Sequence, residues 1–215
     1  MSFEVRPYWQ SGKANRFGVF ETITHEWVEF PAGRVDGDAA WATRQVQALL
    51  ANPALAVGRR VLVVPSINIA HIVTLQWNTV RENITGGHRR LSLPAIFTIG
   101  ATTYNINVIA PSASDVAPYS GNIQLVTSGV MARNSFGDAI EKTSEMFPDS
   151  WSEADIEAAI SDEFHDAHDV AGSQSAGSPK GGIIGTVFVG QARGIWIRGI
   201  LSRNGGQIST AFPDL

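Results

Sequence analysis

One loop of the sequence places residue types suited to acid–base chemistry beside residue types suited to phosphate binding. Gly86 and Gly87 precede His88, which is followed by Arg89 and Arg90. An imidazole titrates near pH ~6.5, so it can give or take a proton at neutral pH, and a guanidinium can hold phosphate through paired hydrogen bonds. The glycines predict a turn, and we therefore expect His88 to be exposed. Taken alone, these residues also suit an ordinary polar turn.

A second histidine, His71, lies in the stretch 66–77, which we predict to be extended. A histidine inside an apolar strand is more often a core residue than a catalytic one. The sequence contains no Gly-x-Ser-x-Gly nucleophile elbow, and Gly86-Gly87 is not followed by the Lys-Ser or Lys-Thr pair of a phosphate-binding loop.

Metal-binding chemistry has little support in the sequence. His165 and His168 are three residues apart on a predicted helix and could share a metal ion, but the spacing identifies no third ligand. The chain has no cysteine, which excludes disulfides and thiolate metal sites. We therefore predict no metal site and no cofactor.

The C-terminal stretch 194–213 predicts a β-hairpin that presents two further candidate residues. Its β-branched residues suit a pleated strand, Asn204-Gly205-Gly206 can supply the positive φ angles of a short turn, and Pro213 ends the second strand. Because side chains alternate along a strand, Thr210 and Phe212 point to the same face.

Two helices are predicted from capping residues and apolar spacing. Asp38 suits the N-cap of a helix over 39–51. Ser150 or Ser152, each followed three residues later by an acidic residue, suits the N-cap of a second helix, whose buried face would carry Ile156, Ala159, Ile160 and Phe164. Strand patterns fill most of the remainder. This order predicts an α+β fold with mostly antiparallel sheets, two or three helices and a terminal β-hairpin.

Composition limits the classes of function. The 215 residues suit one large domain or a domain with an appendage. The net charge of −4 argues weakly against a large nucleic-acid surface, although a local basic patch can suffice. No apolar run is long enough to cross a membrane, and the N-terminus lacks the basic and apolar regions of a signal peptide. Localisation is therefore left open.

Three pieces of the sequence, taken in order, resemble the bacterial EndoU family of RNA endonucleases, which includes toxin domains of contact-dependent inhibition and other polymorphic toxin systems. These pieces are His71-Ile72-Val73 followed by Gly86-Gly87-His88, then Phe147-Pro148-Asp149-Ser150-Trp151-Ser152 at the start of a helix, and finally Gly194-Ile195-Trp196-Ile197-Arg198-Gly199 with Ser209-Thr210-Ala211-Phe212-Pro213. The resemblance implies a nuclease domain over residues 61–215. Residues 1–60 remain an N-terminal segment of unknown role, with strands and one helix.

The resemblance implies a metal-independent endonuclease in which two histidines act as general base and general acid. One takes the proton of the ribose 2′-hydroxyl, the other protonates the leaving 5′-oxygen, and the product is a 2′,3′-cyclic phosphate. It assigns His71, His88 and Thr210 to catalysis. The residues that it assigns to the substrate are Arg89, Arg90, Arg198 and Phe212, with Arg203 a further candidate for neutralising phosphate. Phe212 stands where many members of the family have tyrosine.

The resemblance also implies partners, and the composition leaves one alternative. The implied partners are RNA, with tRNA as one candidate, and a cognate immunity protein; a delivered toxin of this kind would act in the cytoplasm. The alternative is a non-enzymatic β-rich structural or assembly protein, for instance of a phage or a secreted particle. Its support is the long run of predicted strands, the low charged fraction of 17% and the acidic balance.

Overall fold

The structure is a computed structural model that describes residues 3–8, 16–169, 182–184, 187–202 and 206–215. Contacts between Cα atoms group the chain into two units, each built from segments distant in sequence. Unit 1 comprises Met1–Ser66, Ser161–Gln191 and Ile200–Ile208, and unit 2 comprises Ile67–Ile160, Ala192–Gly199 and Ser209–Leu215. The predicted boundary between an N-terminal segment and a nuclease domain at residue 61 stays a prediction.

The N-terminal part of the chain forms an antiparallel sheet and the first helix. The five strands are β1 (Phe3–Pro7), β2 (Phe17–Glu21), β3 (Glu26–Glu29), β4 (Asp36–Gly37) and β5 (Gly58–Val61), in the order β1-β2-β3-β5 with β4 also paired to β2. Helix α1 (Ala39–Ala51) begins after Asp38, whose carboxylate accepts a hydrogen bond from the amide of Trp41 at 2.6 Å. Both the helix and its predicted cap are confirmed.

The next segment contains a short helix where extended chain was predicted. After β6 (Ser66–Ile67), the side chain of Asn68 accepts a hydrogen bond from the amide of His71 and caps α2 (Ile69–Val73). Strands β7 (Leu75–Asn78) and β8 (Asn83–Gly86) then form an antiparallel hairpin. The prediction of extended chain throughout 66–77 is wrong because Asn68 supplies a cap and the burial of Ile72 and Val73 stabilises a single helical turn.

A second five-stranded sheet supplies the core of unit 2. Its strands are β9 (Ile96–Ile99), β10 (Thr102–Ile109), β11 (Tyr119–Thr127), β12 (Val130–Met131) and β13 (Glu141–Met146), and β11 pairs antiparallel with β10, β12 and β13. Its buried side chains pack with those of the β7–β8 hairpin; this core comprises Leu75, Ile84, Tyr119, Ile123, Leu125, Ile140 and Met146. The sheet therefore fixes the position of β13 beside the hairpin.

The C-terminal part contains the third helix and the terminal hairpin. Helix α3 (Glu153–Asp169) begins with a capping box, in which the amide of Asp155 donates to Ser152 Oγ at 3.1 Å and the amide of Ser152 donates to the Asp155 carboxylate at 3.0 Å. Strands β14 (Gly182–Ile184), β15 (Val187–Ala192), β16 (Ile195–Leu201) and β17 (Gln207–Pro213) follow, in the sheet order β14-β15-β16-β17-β6. The predicted turn residues Asn204 and Gly205 lie outside the described residues.

The α+β prediction is confirmed. Within the described residues, three α-helices accompany mostly antiparallel sheets and a C-terminal strand hairpin. Ile156, Ala159, Ile160 and Phe164 of α3 are all buried, as the helical spacing predicted. Short 3-10 helices span Pro31–Gly33, Pro53–Leu55 and Arg90–Ser92. None of the described helices has the length and apolar character needed to cross a membrane.

Candidate active site

Two glycines fix the loop that carries His88. Gly86 and Gly87 both have positive φ angles, +73° and +76°, which favour glycine. A Cβ atom at Gly86 would lie 2.1 Å from the carbonyl oxygen of His71, so no side chain fits there. The amide of His88 also donates to the carbonyl of Ile72 at 2.7 Å. The loop is therefore packed directly against α2, and this contact brings the segments of His71 and His88 together.

His88 is buried, with 5% of its surface exposed. The prediction of an exposed histidine in an open loop is wrong, because the glycines serve a close approach of the backbone to α2 instead of a surface turn. The imidazole is stacked against the ring of Phe212, with centroids 5.2 Å apart and planes inclined by 22°. A buried, stacked ring has little freedom to rotate.

Hydrogen bonds determine which nitrogen of His88 carries the proton. Nδ1 lies 2.8 Å from the carbonyl oxygen of Glu145, and a carbonyl oxygen only accepts, so Nδ1 is the donor. Ser144 Oγ lies 3.0 Å from the same nitrogen and donates its own hydrogen to the carbonyl of Gly87 at 3.1 Å. In the neutral ring, Nε2 therefore carries the lone pair, and Lys142 Nζ donates to it at 3.4 Å.

Burial is the main cause of a large shift in the pKa of His88. Desolvation, assisted by the nearby positive charge of Lys142, lowers this pKa to about 3. His88 is therefore neutral at physiological pH. Its Nε2 is therefore unprotonated there, which is the form that a general base has before it takes a proton.

Lys142 on β13 is the cation that adjoins His88. Its Nζ lies 3.4 Å from His88 Nε2 and 3.5 Å from Ser144 Oγ, and it donates to the carbonyl of Gly86. Burial lowers the pKa of Lys142 to about 8, an effect that the charge of Glu145 partly opposes. Among the described residues no carboxylate forms an ion pair with Lys142. Its positive charge is thus not neutralised by a carboxylate within that part of the chain.

The sequence-based prediction missed Lys142 and Ser144. Two signals pointed to them: Lys142 is one of only three lysines in the chain, and it stands two residues from Ser144 on one strand, so that both side chains share a face. Neither signal identifies the partner, because β13 and the His88 loop are distant in sequence and meet only in the fold.

His71 lies on α2 and is half-buried. Its Nδ1 is 2.8 Å from Oε1 of Gln76, an oxygen that only accepts, so Nδ1 is the donor. The charge of His71 is close enough to contribute to the lowered pKa of His88. The structure therefore brings His71, His88 and Lys142 into one neighbourhood.

Thr210 and Phe212 reach the same neighbourhood from β17. Phe212 covers the ring of His88, and Thr210 lies two residues earlier on the same face of the strand. Thr210 is half-buried, and its hydroxyl has no hydrogen-bond partner within the part of the chain that the structure describes. The hydroxyl is therefore free to donate to a ligand.

The predicted substrate-binding arginines are bound to groups of the protein. Arg89 donates to the carbonyl of Trp151 and to Ser92 Oγ, both at 2.7 Å. The guanidinium of Arg90 forms an ion pair with Asp149 and lies 3.3 Å from the hydroxyl of Tyr119, while that of Arg198 lies 3.0 Å from Asp214. Arg203 lies outside the described residues. The roles of these arginines in substrate binding stay predictions.

No group of three or more potential metal ligands occurs among the described residues. The side chain of His168, which was considered with His165 as a metal-binding pair, is not among them.

The residues of this site lie within a segment of the chain that matches a known protein family. The model of the family described as bacterial EndoU nuclease matches residues 68–215. The chain belongs to the bacterial EndoU nuclease family. Family membership makes it a nuclease and makes RNA its class of substrate. No curated protein and no solved structure matches the chain.

The matched segment of the EndoU nuclease contains every residue of the cluster around His88. It includes His71 and Lys142 as well as the terminal strand with Thr210 and Phe212. Membership in a nuclease family favours an enzyme over the structural or assembly protein that the composition left as an alternative.

Proposed function

We propose that the protein is a metal-independent endonuclease that cleaves RNA by attack of a ribose 2′-hydroxyl on the adjacent phosphorus. The products are a 2′,3′-cyclic phosphate and a free 5′-hydroxyl. The observation that supports this best is the neutral His88, whose unprotonated Nε2 lies 3.4 Å from the partly buried ammonium of Lys142.

In the proposed reaction His88 is the general base. Its Nε2 takes the proton of the 2′-hydroxyl as O2′ bonds to phosphorus, and the carbonyl of Glu145 holds the proton that Nδ1 already carries. The positive charge that forms on the imidazole is favoured by the negative charge that builds on the phosphate. Phe212 keeps the ring in the required plane.

Lys142 and Thr210 are proposed to stabilise the transition state. As O2′ adds to phosphorus, negative charge accumulates on the non-bridging oxygens, and the ammonium of Lys142 stands where it can receive them. Burial of Lys142 makes this interaction stronger than it would be in water. The unpartnered hydroxyl of Thr210 supplies a further hydrogen bond to the phosphate.

His71 is proposed as the general acid. The bond from phosphorus to O5′ breaks as His71 gives its Nε2 proton to that oxygen, so the proton removed at one end of the site is replaced at the other. The bond from Nδ1 to Gln76 fixes the orientation of the ring. Partial exposure lets His71 recover its proton from solvent before the next cycle.

The biological setting belongs to the same proposal and rests on the resemblance of the sequence to toxin domains. The protein acts as a toxin against a competing bacterium, cleaves RNA with tRNA as one candidate, and is neutralised by a cognate immunity protein. Residues 61–215 form the nuclease domain, and residues 1–60 are an N-terminal segment to which no role is assigned.

Incubation of the purified protein with RNA in EDTA tests the reaction. We expect cleavage that leaves cyclic-phosphate ends and that is abolished by His88→Ala. His165→Ala is the matched control, because His165 is an exposed histidine on α3, and it should cleave like the unchanged protein. Loss of cleavage in EDTA, restored by a divalent cation, would refute metal independence. Equal cleavage by His88→Ala would remove His88 from the mechanism.

A further inference from the structure

A cavity of about 310 Å³ opens on unit 2, and none of the candidate catalytic residues lines it. Its walls come from the β7–β8 hairpin, from β9 and β10, and from the segment that precedes β13. The residues that matter for its chemistry are Trp77, Glu82, Tyr104, Arg133 and Ile140. The volume lies in the range of small-molecule binding sites.

The cavity and the His88 cluster lie along the same two elements. Ile140 lines the cavity directly before β13 begins, and Lys142 is the second residue of that strand. Two residues of extended chain span roughly 7 Å. On the hairpin, Trp77 pairs with Ile84, and Gly86, whose carbonyl accepts from Lys142, is two residues further along β8. A single strand of RNA held at Lys142 can therefore reach the cavity with a neighbouring nucleotide.

Two aromatic side chains give the cavity its apolar surface. Trp77 and Tyr104 are both half-buried, so part of each side chain remains accessible to a ligand. Within the described residues, neither the indole N–H of Trp77 nor the hydroxyl of Tyr104 has a hydrogen-bond partner. Accessible rings with free polar edges suit the flat face and polar edge of a nucleobase.

The charges around the cavity favour a base over a phosphate. The carboxylate of Glu82 accepts from the amide of Ser135 at 2.8 Å, and hydrogen bonds from Ser135 lower its pKa, so it stays ionised and repels phosphate. Arg133 is exposed, donates to the carbonyl of Gly137 at 2.5 Å and has no carboxylate partner within the described part of the chain. A neutral base inside the cavity avoids repulsion by Glu82, and the phosphate of the same nucleotide can pair with Arg133 outside it.

We propose that this cavity is a nucleobase subsite for a nucleotide of single-stranded RNA that adjoins the two nucleotides joined by the cleaved bond. The proposal rests on the proposed function, since it assumes that RNA is held at Lys142 during cleavage. It assigns Trp77 and Tyr104 to base stacking and Arg133 to a phosphate outside the reacting group.

Cleavage of substrates of two lengths tests the subsite. A dinucleotide occupies only the reacting site, whereas a longer single-stranded oligonucleotide also reaches the cavity. We expect Trp77→Leu to lower kcat/KM for the oligonucleotide about 5- to 150-fold, as expected for the stacking of one base, and to leave the dinucleotide unchanged. Trp77→Phe keeps a ring and should keep most of the activity. Equal losses on both substrates, or no loss on either, would overturn the proposal.

Binding of a 2′-O-methyl oligonucleotide separates the subsite from the chemistry, because this RNA has no 2′-hydroxyl to attack. We expect Trp77→Leu and Arg133→Gln to raise its Kd, measured by fluorescence anisotropy, and Arg44→Gln, which removes an exposed arginine of α1, to leave it unchanged. If the two cavity variants bind this RNA more weakly but the unchanged protein cleaves no RNA, the proposed function is refuted and the subsite is retained. Unchanged binding would refute the subsite and leave the cavity to a protein partner.

Discussion

Burial lowers the pKa of both His88 and Lys142, and the charge of Lys142 lowers the pKa of His88 further. The pKa of His88 falls to about 3 and that of Lys142 to about 8. Two positive charges 3.4 Å apart would repel each other, so the pair holds at most one proton beyond neutrality under physiological conditions. That proton stays on Lys142, so His88 remains neutral.

The pH dependence of cleavage should show the low pKa of Lys142. If its ammonium is required, kcat/KM falls as pH rises through about 8, because the charged form is lost. Lys142→Arg keeps a charge to much higher pH, so its remaining activity should persist above that point. Lys142→Met, which cannot carry the charge, is the control and should be inactive throughout. If kcat/KM of Lys142→Arg also falls at about pH 8, the loss of activity is due to the titration of another group.

Phe212 offers a test of positioning against substrate binding. If its ring serves to hold His88, Phe212→Leu should lower kcat roughly 2- to 10-fold, from the ~0.5–1.5 kcal/mol that a ring pair contributes, with little change in KM. Phe212→Tyr keeps the stacked ring and should keep kcat. Steady-state kinetics on one RNA distinguish the two roles, since an increase in KM at constant kcat would mean that Phe212 contacts the substrate instead.

At the scale of elements, the contact between α2 and the Gly86 loop assembles the site. A helix of five residues has almost no stability of its own, and here it depends on packing against that loop and on the Asn68 cap. The same contact supplies the carbonyl of Ile72 to the amide of His88. Any change that separates α2 from the loop therefore disturbs both histidines together.

Alanine at Gly86 should destabilise the protein far more than alanine at another glycine with positive φ. Gly100 also has a positive φ, +59°, but nothing lies within 4 Å of its added Cβ, so Gly100→Ala should cost about 1–2 kcal/mol of unfolding free energy from backbone strain alone. Gly86→Ala adds a clash with the His71 carbonyl, worth about 1–3 kcal/mol more. Urea denaturation measures both variants, and equal losses would contradict the tight contact.

At the scale of the whole molecule, burial of a neutral histidine makes global stability depend on pH. The unfolded chain binds a proton at His88 near pH ~6.5, whereas the folded state binds it only near about 3. Between these values the unfolded state holds more protons, so the free energy of unfolding falls as pH decreases, by up to about 1.4 kcal/mol per pH unit.

Urea denaturation between pH ~6.5 and ~5 measures this slope above the range in which most carboxylates titrate. We expect the slope to be reduced in His88→Gln and unchanged in His165→Gln, the exposed control. A slope that survives His88→Gln would mean that another group is responsible.

Local features of the sequence were sufficient to predict the helix caps, the strands of the terminal hairpin and the family. Asp38 and Ser152 cap their helices as predicted, because a cap and its amide are only a few residues apart. The alternation in 195–213 fixed the hairpin strands, and short motifs sufficed to identify the family that the match over 68–215 confirms. His71, His88, Thr210 and Phe212 were named from those motifs.

Only the tertiary structure decided how these residues meet. Burial of His88, its tautomer and its neighbour Lys142 all follow from contacts between β13, β17 and the Gly86 loop, which are far apart in sequence. Gly86 and Gly87 predicted an exposed turn, but in the structure they allow the backbone to pack closely against α2. The sequence does not distinguish a turn from a close approach, because glycines with positive φ serve both. Desolvation, the main cause of both pKa shifts, arises only once the surrounding elements have excluded water.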